Sequence, residues 1–149
     1  MTLMLGNRYF LDRDYERAVP LLEAAVDDDP ECLSARKKLV IAHVQMGNVD
    51  TALVHFEFVL RRAPRLIIDT NAEVEDCPCP SLCAVMESRL ADAQDPFPVL
   101  VSLGVLETYC DLVKARQRLD RARSLRPRDE RLGRLLAVLE KEEPACRTR

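Results

Sequence analysis

The chain has 149 residues, with 25 acidic and 22 basic side chains, a formal net charge of −3 and 48% hydrophobic residues. The near-neutral charge excludes a protein that coats nucleic acid through its overall charge, and the hydrophobic content excludes an intrinsically disordered chain. Aromatic residues at 5% and only four Gly are too few for a β-sandwich or barrel, so the composition predicts an all-α fold.

The N-terminal sequence has neither the basic segment nor the apolar core of a signal peptide, and no stretch of the chain approaches the roughly 20 apolar residues of a membrane span. We therefore expect a cytoplasmic protein that has no membrane partner. In that reducing compartment the six Cys are expected to remain reduced thiols rather than form a disulfide framework.

Two stretches of the N-terminal half repeat with a period of 34 residues. The matched pairs are Ala18 and Ala52, Leu22 and Phe56, Ala25 and Val59, and Pro30 and Pro64. In each copy the three apolar positions share one helical face, and a Pro is typical after a helix end. The period therefore predicts an amphipathic helix in each copy.

A second apolar-periodic stretch precedes each of these helices, at residues 3–10 and at residues 39–44. Asp14 and Asp50 lie in the turns between the stretches, where a carboxylate can cap the following helix. Each copy is therefore predicted to be a helix, a short turn and a second helix.

This repeat resembles the tetratricopeptide repeat. The first helix of that family carries Leu-Gly and then Tyr, and a second Tyr lies near the turn. Its second helix carries Ala, a bulky apolar residue and Ala, and a Pro follows. The first copy fills these positions with Leu5, Gly6, Tyr9, Tyr15, Ala18, Leu22, Ala25 and Pro30. The second copy keeps Leu39, Ala52, Phe56 and Pro64 but has Val40, His43, Val49 and Val59 at the other positions.

The C-terminal half repeats the second-helix pattern at Ala115, Leu119, Ala122 and Pro127. Gly104 lies 11 residues before Ala115, whereas Gly6 of the first copy lies 12 residues before Ala18. The difference predicts a turn shortened by one residue. The first helix of this copy is expected to start near Pro98. Residues 129–142 place Leu on one stripe and charge on the opposite face, as in a capping helix.

Residues 65–96 keep the second-helix spacing only weakly. Pro78 and Pro80 cannot continue a helix, because each lacks an N–H and restricts the residue before it. We therefore predict one tetratricopeptide-like domain over residues 1–149, with repeats at about 1–32, 33–64, 65–96 (degenerate) and 97–128 and a capping helix at about 129–142.

The resemblance implies a right-handed superhelical solenoid, in which the first helices line a concave groove that binds a peptide or a helix of another protein. The groove positions that it implies are Leu3, Asn7, Phe10, Leu11, Lys37, Ile41, Val44, Gln45, Val101, Val105 and Tyr109. Because these residues are mostly apolar, a hydrophobic helix or extended segment is the expected ligand. Packing of the same face against a missing N-terminal helix or against another copy of the chain, as in a homo-oligomer, is the alternative.

The spacing Cys77-x-Cys79-x₃-Cys83 is the pattern that could carry chemistry. Closely spaced thiolates bind zinc or an iron–sulfur centre, and Cys110, His43 or His55 could supply a fourth ligand. The spacing is not a standard one, and a second Cys pair is lacking. A metal- or redox-responsive module is thus the alternative function, whereas the preferred interpretation has plain loop cysteines and no cofactor.

No catalytic constellation is evident. His43 is expected to pack between helices, because it stands where the first repeat has Tyr9, and His55 is expected on a solvated outer face. The basic segment at residues 114–134 has no interleaved aromatic residues, so nucleic-acid binding is not expected. We predict a scaffold for protein–protein interaction that is not an enzyme.

Overall fold

The computed structural model describes residues 2–145. Helices are the regular elements of this part of the chain, and it contains no strand, so the all-α prediction is confirmed there. The helices are α1 (Thr2–Leu11), α2 (Tyr15–Asp28), α3 (Leu33–Gln45), α4 (Val49–Arg62), α5 (Pro64–Ile68), α6 (Cys79–Leu90), α7 (Pro96–Glu107), α8 (Leu112–Leu125) and α9 (Glu130–Leu139).

The chain forms two compact units, an N-terminal unit up to Val59 and a C-terminal unit from Leu60 onward. In the N-terminal unit α1 packs on α2 and α2 on α3, and α1 also contacts α3. In the C-terminal unit α6 packs on α7, α7 on α8 and α8 on α9. Packing of sequence neighbours is the pattern of a helical solenoid, while the division into four repeats stays a prediction.

A glycine in the first helix faces a buried leucine of the second helix in two of the hairpins. A Cβ atom on Gly6 would lie 3.0 Å from Cδ2 of Leu22, and a Cβ atom on Gly104 would lie 2.5 Å from Cγ of Leu119. Both leucines are fully buried. The missing side chain therefore allows the paired helices to approach closely, at the positions where the repeat pattern places glycine.

Aspartates begin the second helices of the same two hairpins. The side chain of Asp14 accepts a hydrogen bond from the backbone N–H of Arg17, and that of Asp111 accepts one from Lys114. Gly6 precedes its cap by eight residues and Gly104 by seven, which is the predicted shortening. The prediction for Asp50 was wrong, because α4 begins at Val49 and places Asp50 in its first turn, where the helix dipole favours a negative charge.

The first half of the degenerate segment has little regular structure. The five residues of α5 end at Ile68, residues 69–78 form turns, and α6 begins at Cys79 with Pro80 in its first turn. The interruption of the helix by the two prolines is therefore confirmed. The predicted C-terminal helix is also present as α9, which Asp129 caps.

Of the helices in the described part of the chain, none combines the length and the apolar character that a membrane crossing requires.

Candidate functional site

The eleven predicted groove residues divide into buried and accessible side chains. Those that the structure buries are Phe10, Ile41, Val44, Val101, Val105 and Tyr109. Those that stay half-buried or exposed are Leu3, Asn7, Leu11, Lys37 and Gln45. A partner that docks on the folded protein would contact the accessible set, whereas the buried residues hold the helices together.

The accessible residues all lie on α1 and α3, which touch within the N-terminal unit. We call these five side chains the first-helix surface. Leu11 is 46% exposed, and the side-chain oxygen of Asn7 is buried without a hydrogen-bond partner. An open cavity of about 470 Å³ adjoins α1 and is lined by Thr2, Met4, Leu5, Arg8 and Leu21. The N-terminal unit thus presents apolar side chains on its first helix, which also holds a buried acceptor without a partner.

A second group of polar side chains is built from α2, α3 and α4. Oε1 of Glu23 lies 2.7 Å from Nε2 of His43 and 3.1 Å from Nε2 of His55. The two imidazole rings stack with centroids 5.7 Å apart and an interplanar angle of 10°. Both histidines are buried, so the expectation of a solvated His55 was wrong, while the packing role expected of His43 agrees with its position.

Arg36 fixes the protonation of His55. Its Nη1 atom lies 3.2 Å from Nδ1 of His55, its Nε donates to the carbonyl oxygen of Pro30 at 2.9 Å, and its guanidinium stacks 3.5 Å from the ring centre of Phe58. Because a guanidinium only donates, Nδ1 of His55 accepts. Nε2 of His55 therefore carries the proton and donates a hydrogen bond to Glu23.

Burial and the neighbouring polar groups act in opposite directions on the pKa values of Glu23 and His55. Burial raises the pKa of Glu23, but the hydrogen bonds and charges of His43 and His55 outweigh it and leave that pKa lowered. Burial lowers the pKa of His55, and the bond to Glu23 offsets this only in part. The folded protein thus favours an ionised Glu23 beside a neutral His55.

The lowered pKa of His55 predicts a specific response to acid. A group whose pKa is lower in the folded state stabilises the protein above its unfolded pKa, which is about 6.5 for His. This stabilisation is lost as the pH falls through the pKa of the folded state. Gln in place of His55 keeps a donor for Glu23 and an acceptor for Arg36 but does not titrate. Between pH 7.5 and 5.5 we expect the Tm of the wild type to fall by about 2–4 °C more than that of His55→Gln, measured by circular dichroism. An equal fall in Tm for the wild type and His55→Gln would contradict a lowered pKa of His55 in the folded protein.

Glu23, His43 and His55 also form a set of described residues whose ligand atoms all lie within 4.8 Å of one another. An imidazole that binds a metal through Nε2 keeps its proton on Nδ1, so His55 would then turn an N–H toward the N–H of Arg36. The guanidinium charge would also repel the cation. We therefore interpret the set as a buried polar network that specifies how α2, α3 and α4 pack.

The predicted cysteine pattern lies at the start of α6, in the C-terminal unit. Sγ of Cys77 is 2.7 Å from Sγ of Cys79, which is fully buried. Cys83 lies one turn further along α6, and its thiol interacts with that of Cys110 from the turn between α7 and α8. Of the fourth ligands considered from the sequence, the structure thus brings Cys110 to this group.

Burial and mutual interaction raise the pKa values of two of these thiols, Cys79 and Cys83. The interaction with Cys110, followed by burial, raises the pKa of Cys83, and burial raises the pKa of Cys79, with contributions from the neighbouring thiols. A reactive cysteine needs a lowered pKa, so this arrangement does not favour nucleophilic chemistry. Burial likewise raises the pKa of Tyr109, with smaller effects from Cys79 and Cys77, which places this predicted groove residue beside the thiols.

The arginines of the basic segment bind groups of the C-terminal unit. Arg118 contacts Glu87 at 2.8 Å and Glu107 at 3.4 Å. Other pairs are Arg126 with Asp95, Arg131 with Asp129, Arg123 with Asp120, and Arg116 with the carbonyl oxygen of Leu139. These contacts tie the named arginines to acidic and carbonyl groups of the C-terminal unit.

Sequence patterns missed the polar network because its members are far apart in the chain. His43 and His55 contact Glu23 from 20 and 32 residues away, and Arg36 contacts His55 from 19 residues away. The sequence signal by which the network could have been found is that its charged and polar residues lie on helices that the repeat predicts from their apolar spacing.

Comparison with known proteins gives a family match for part of the chain. The model of the tetratricopeptide repeat family matches residues 9–65, a stretch that contains both copies of the 34-residue period. Neither the curated proteins nor the solved structures give a match to the chain. The further repeat at residues 97–128 stays a prediction. Over residues 9–65, the chain is similar to the tetratricopeptide repeat family.

Proposed function

We propose that this protein is a non-catalytic adaptor that binds a peptide or helical segment of another protein on its first-helix surface. The observation that carries the proposal is the family match over residues 9–65, since tetratricopeptide repeats generally mediate protein–protein interaction. The cytoplasmic location predicted from the sequence is part of the proposal.

The chemistry of the first-helix surface suggests what it would bind. Leu3 and Leu11 supply apolar contacts, and Lys37 and Gln45 supply charged and polar groups. A rotation of the Asn7 amide would let its unsatisfied oxygen accept from a backbone N–H of the bound segment. A segment that carries apolar anchors beside an acidic residue fits this combination.

Leu11→Glu tests this surface, because it places a carboxylate where apolar contact is expected. Peptides are first selected from a random library on the wild type, and their Kd values are then measured by fluorescence anisotropy. We expect Leu11→Glu to raise Kd at least about tenfold, equivalent to about 1.4 kcal/mol. The matched control is Val54→Glu on α4, where the side chain is 64% exposed and lies outside the surface.

Equal weakening by Leu11→Glu and Val54→Glu, with both variants folded by circular dichroism, would contradict the proposal. Failure to select any peptide, together with a wild-type dimer that Leu11→Glu dissociates in sedimentation experiments, would assign the same surface to self-association.

A further inference from the structure

A buried contact between α3 and α4 depends on the charge of one imidazole. His55 and Arg36 are 5% and 8% exposed, and Nη1 of Arg36 lies 3.2 Å from Nδ1 of His55. This contact is a hydrogen bond only while Nδ1 of His55 carries no proton, because every N–H of a guanidinium donates. Protonation of His55 would therefore turn two donors and two positive charges toward each other away from solvent.

The other ring nitrogen of His55 is engaged by a carboxylate. Nε2 of His55 lies 3.1 Å from Oε1 of Glu23, and the same oxygen lies 2.7 Å from Nε2 of His43. The charged and titratable groups that act on the His55 ring are thus Glu23 from α2 and Arg36 and His43 from α3. A proton added to His55 strengthens its bond to Glu23 and removes its bond to Arg36. The contact that acid breaks is therefore the one between α3 and α4.

His43 differs from His55 in this respect, although the two rings stack with centroids 5.7 Å apart. Nδ1 of His43 is buried and has no hydrogen-bond partner among the described residues. A proton on that nitrogen would break no hydrogen bond of the network. His55 is therefore the histidine whose protonation acts on the packing of two helices.

Arg36 connects His55 to the first-helix surface. Its Nε donates to the carbonyl oxygen of Pro30 in the turn before α3, and its guanidinium lies 3.5 Å from the ring centre of Phe58 on α4. The next residue along α3 is Lys37, which belongs to the first-helix surface. A guanidinium that leaves His55 would therefore change α3 directly beside Lys37.

We propose that protonation of His55 is a switch that turns off ligand binding by the first-helix surface. With His55 neutral, Arg36 holds α3 against α4 and the surface is formed. With His55 protonated, the two cations separate and α3 loosens, so Lys37 and Gln45 leave their positions beside α1. This inference rests on the proposed adaptor function, because it names the condition that regulates the same surface. Burial lowers the pKa of His55, so the change occurs below about pH 6.5.

Hydrogen exchange tests the switch without a ligand. The wild type and His55→Gln are followed by mass spectrometry at pH 7.5 and 5.5, with labelling times scaled to the intrinsic exchange rate at each pH. At pH 5.5 we expect the amides of α3 to exchange at least about threefold faster in the wild type than in His55→Gln. The amides of α8, in the C-terminal unit, are the internal control and are expected to exchange equally in both proteins. Equal exchange of α3 in the two proteins would overturn the proposal.

Peptide affinity tests the link to the first-helix surface. A peptide that was selected on the wild type and contains no His is titrated by fluorescence anisotropy at both pH values. We expect the wild-type Kd to rise at least about threefold at pH 5.5 and the Kd of His55→Gln to change less than about 1.5-fold. Acidic side chains of the peptide stay ionised over this range and do not contribute. An equal rise in Kd for both proteins, or faster exchange of α3 with no rise in Kd, would contradict the switch.

Nuclear magnetic resonance of the wild type gives a readout that needs no folded variant. The chain has two His, so the imidazole signals report the pKa of His55 directly. Saturating peptide is expected to lower that pKa, because binding and protonation are reciprocally linked. A pKa that the peptide leaves unchanged would refute the switch even if His55→Gln does not fold.

Failure of the switch is distinguishable from failure of the adaptor function. Binding that Leu11→Glu weakens but pH leaves unchanged would contradict the switch alone. Binding at pH 7.5 that Leu11→Glu leaves unchanged would contradict the adaptor surface. If no peptide binds, the adaptor function and its regulation both fail, while the exchange experiment still decides whether His55 controls α3.

Discussion

Leu22→Ala is expected to lower the free energy of unfolding by about 2–5 kcal/mol. Leu22 is fully buried in α2 and packs against Gly6 of α1, so truncation removes apolar burial and leaves a cavity at a close helix contact. The glycine has no side chain with which to fill that cavity. Urea denaturation followed by circular dichroism measures the change.

Val54→Ala is the control for this prediction, because Val54 is 64% exposed and its truncation is expected to change the free energy of unfolding by less than about 0.5 kcal/mol. A decrease below about 1 kcal/mol in the free energy of unfolding of Leu22→Ala, with an unchanged slope of that free energy against urea concentration, would show that α1 does not pack against Leu22 as described.

Gly104→Ala is expected to lower the free energy of unfolding by about 1–3 kcal/mol, although alanine is the better helix former. The added Cβ atom would lie 2.5 Å from Cγ and 2.6 Å from Cδ2 of Leu119, and 3.3 Å from the carbonyl oxygen of Ala115. Leu119 is fully buried and has little room to move, so α7 and α8 must separate.

Gly133→Ala is the matched comparison. It lies in α9, and a Cβ atom there would meet nothing within 4 Å, so the same substitution is expected to raise the free energy of unfolding by up to about 1 kcal/mol. Thermal and urea denaturation of the two variants measure the opposite signs. Stabilisation by both substitutions would contradict the close packing of α7 on α8.

The helices could be predicted from the sequence because apolar periodicity and proline act locally. The 34-residue period located α2 and α4, and the two prolines near Cys79 located the start of α6. The position of Asp50 relative to the helix start was misjudged by two residues, since an aspartate beside a turn can occupy either the cap or the first turn of a helix.

The candidate site was less predictable, because burial depends on which face of a helix its neighbours cover. Ile41 and Val44 have the spacing of a groove lining, yet both are buried, while Leu11 and Gln45 remain accessible. His55 shows the same difficulty for a polar residue. Its spacing indicated an outer face, but Arg36 and Glu23 satisfy both ring nitrogens.

The group of cysteines near the start of α6 was predictable in part. Three of its members are neighbours in sequence and were expected together. The choice of Cys110 over a histidine required the fold, because the turn between α7 and α8 carries that cysteine to α6. Chain proximity thus identified the stretch, and tertiary packing identified the fourth thiol.

Site-specific photo-cross-linking tests whether the first-helix surface recognises a segment of another protein. A photoreactive phenylalanine replaces Leu11 in one variant and Val54 in the other, and both are irradiated in cells that express the protein. We expect position 11 to cross-link to one defined segment of a partner, identified by mass spectrometry, and position 54 not to do so. Cross-links to that partner from position 54 alone, or equally from both positions, would contradict recognition by the first-helix surface.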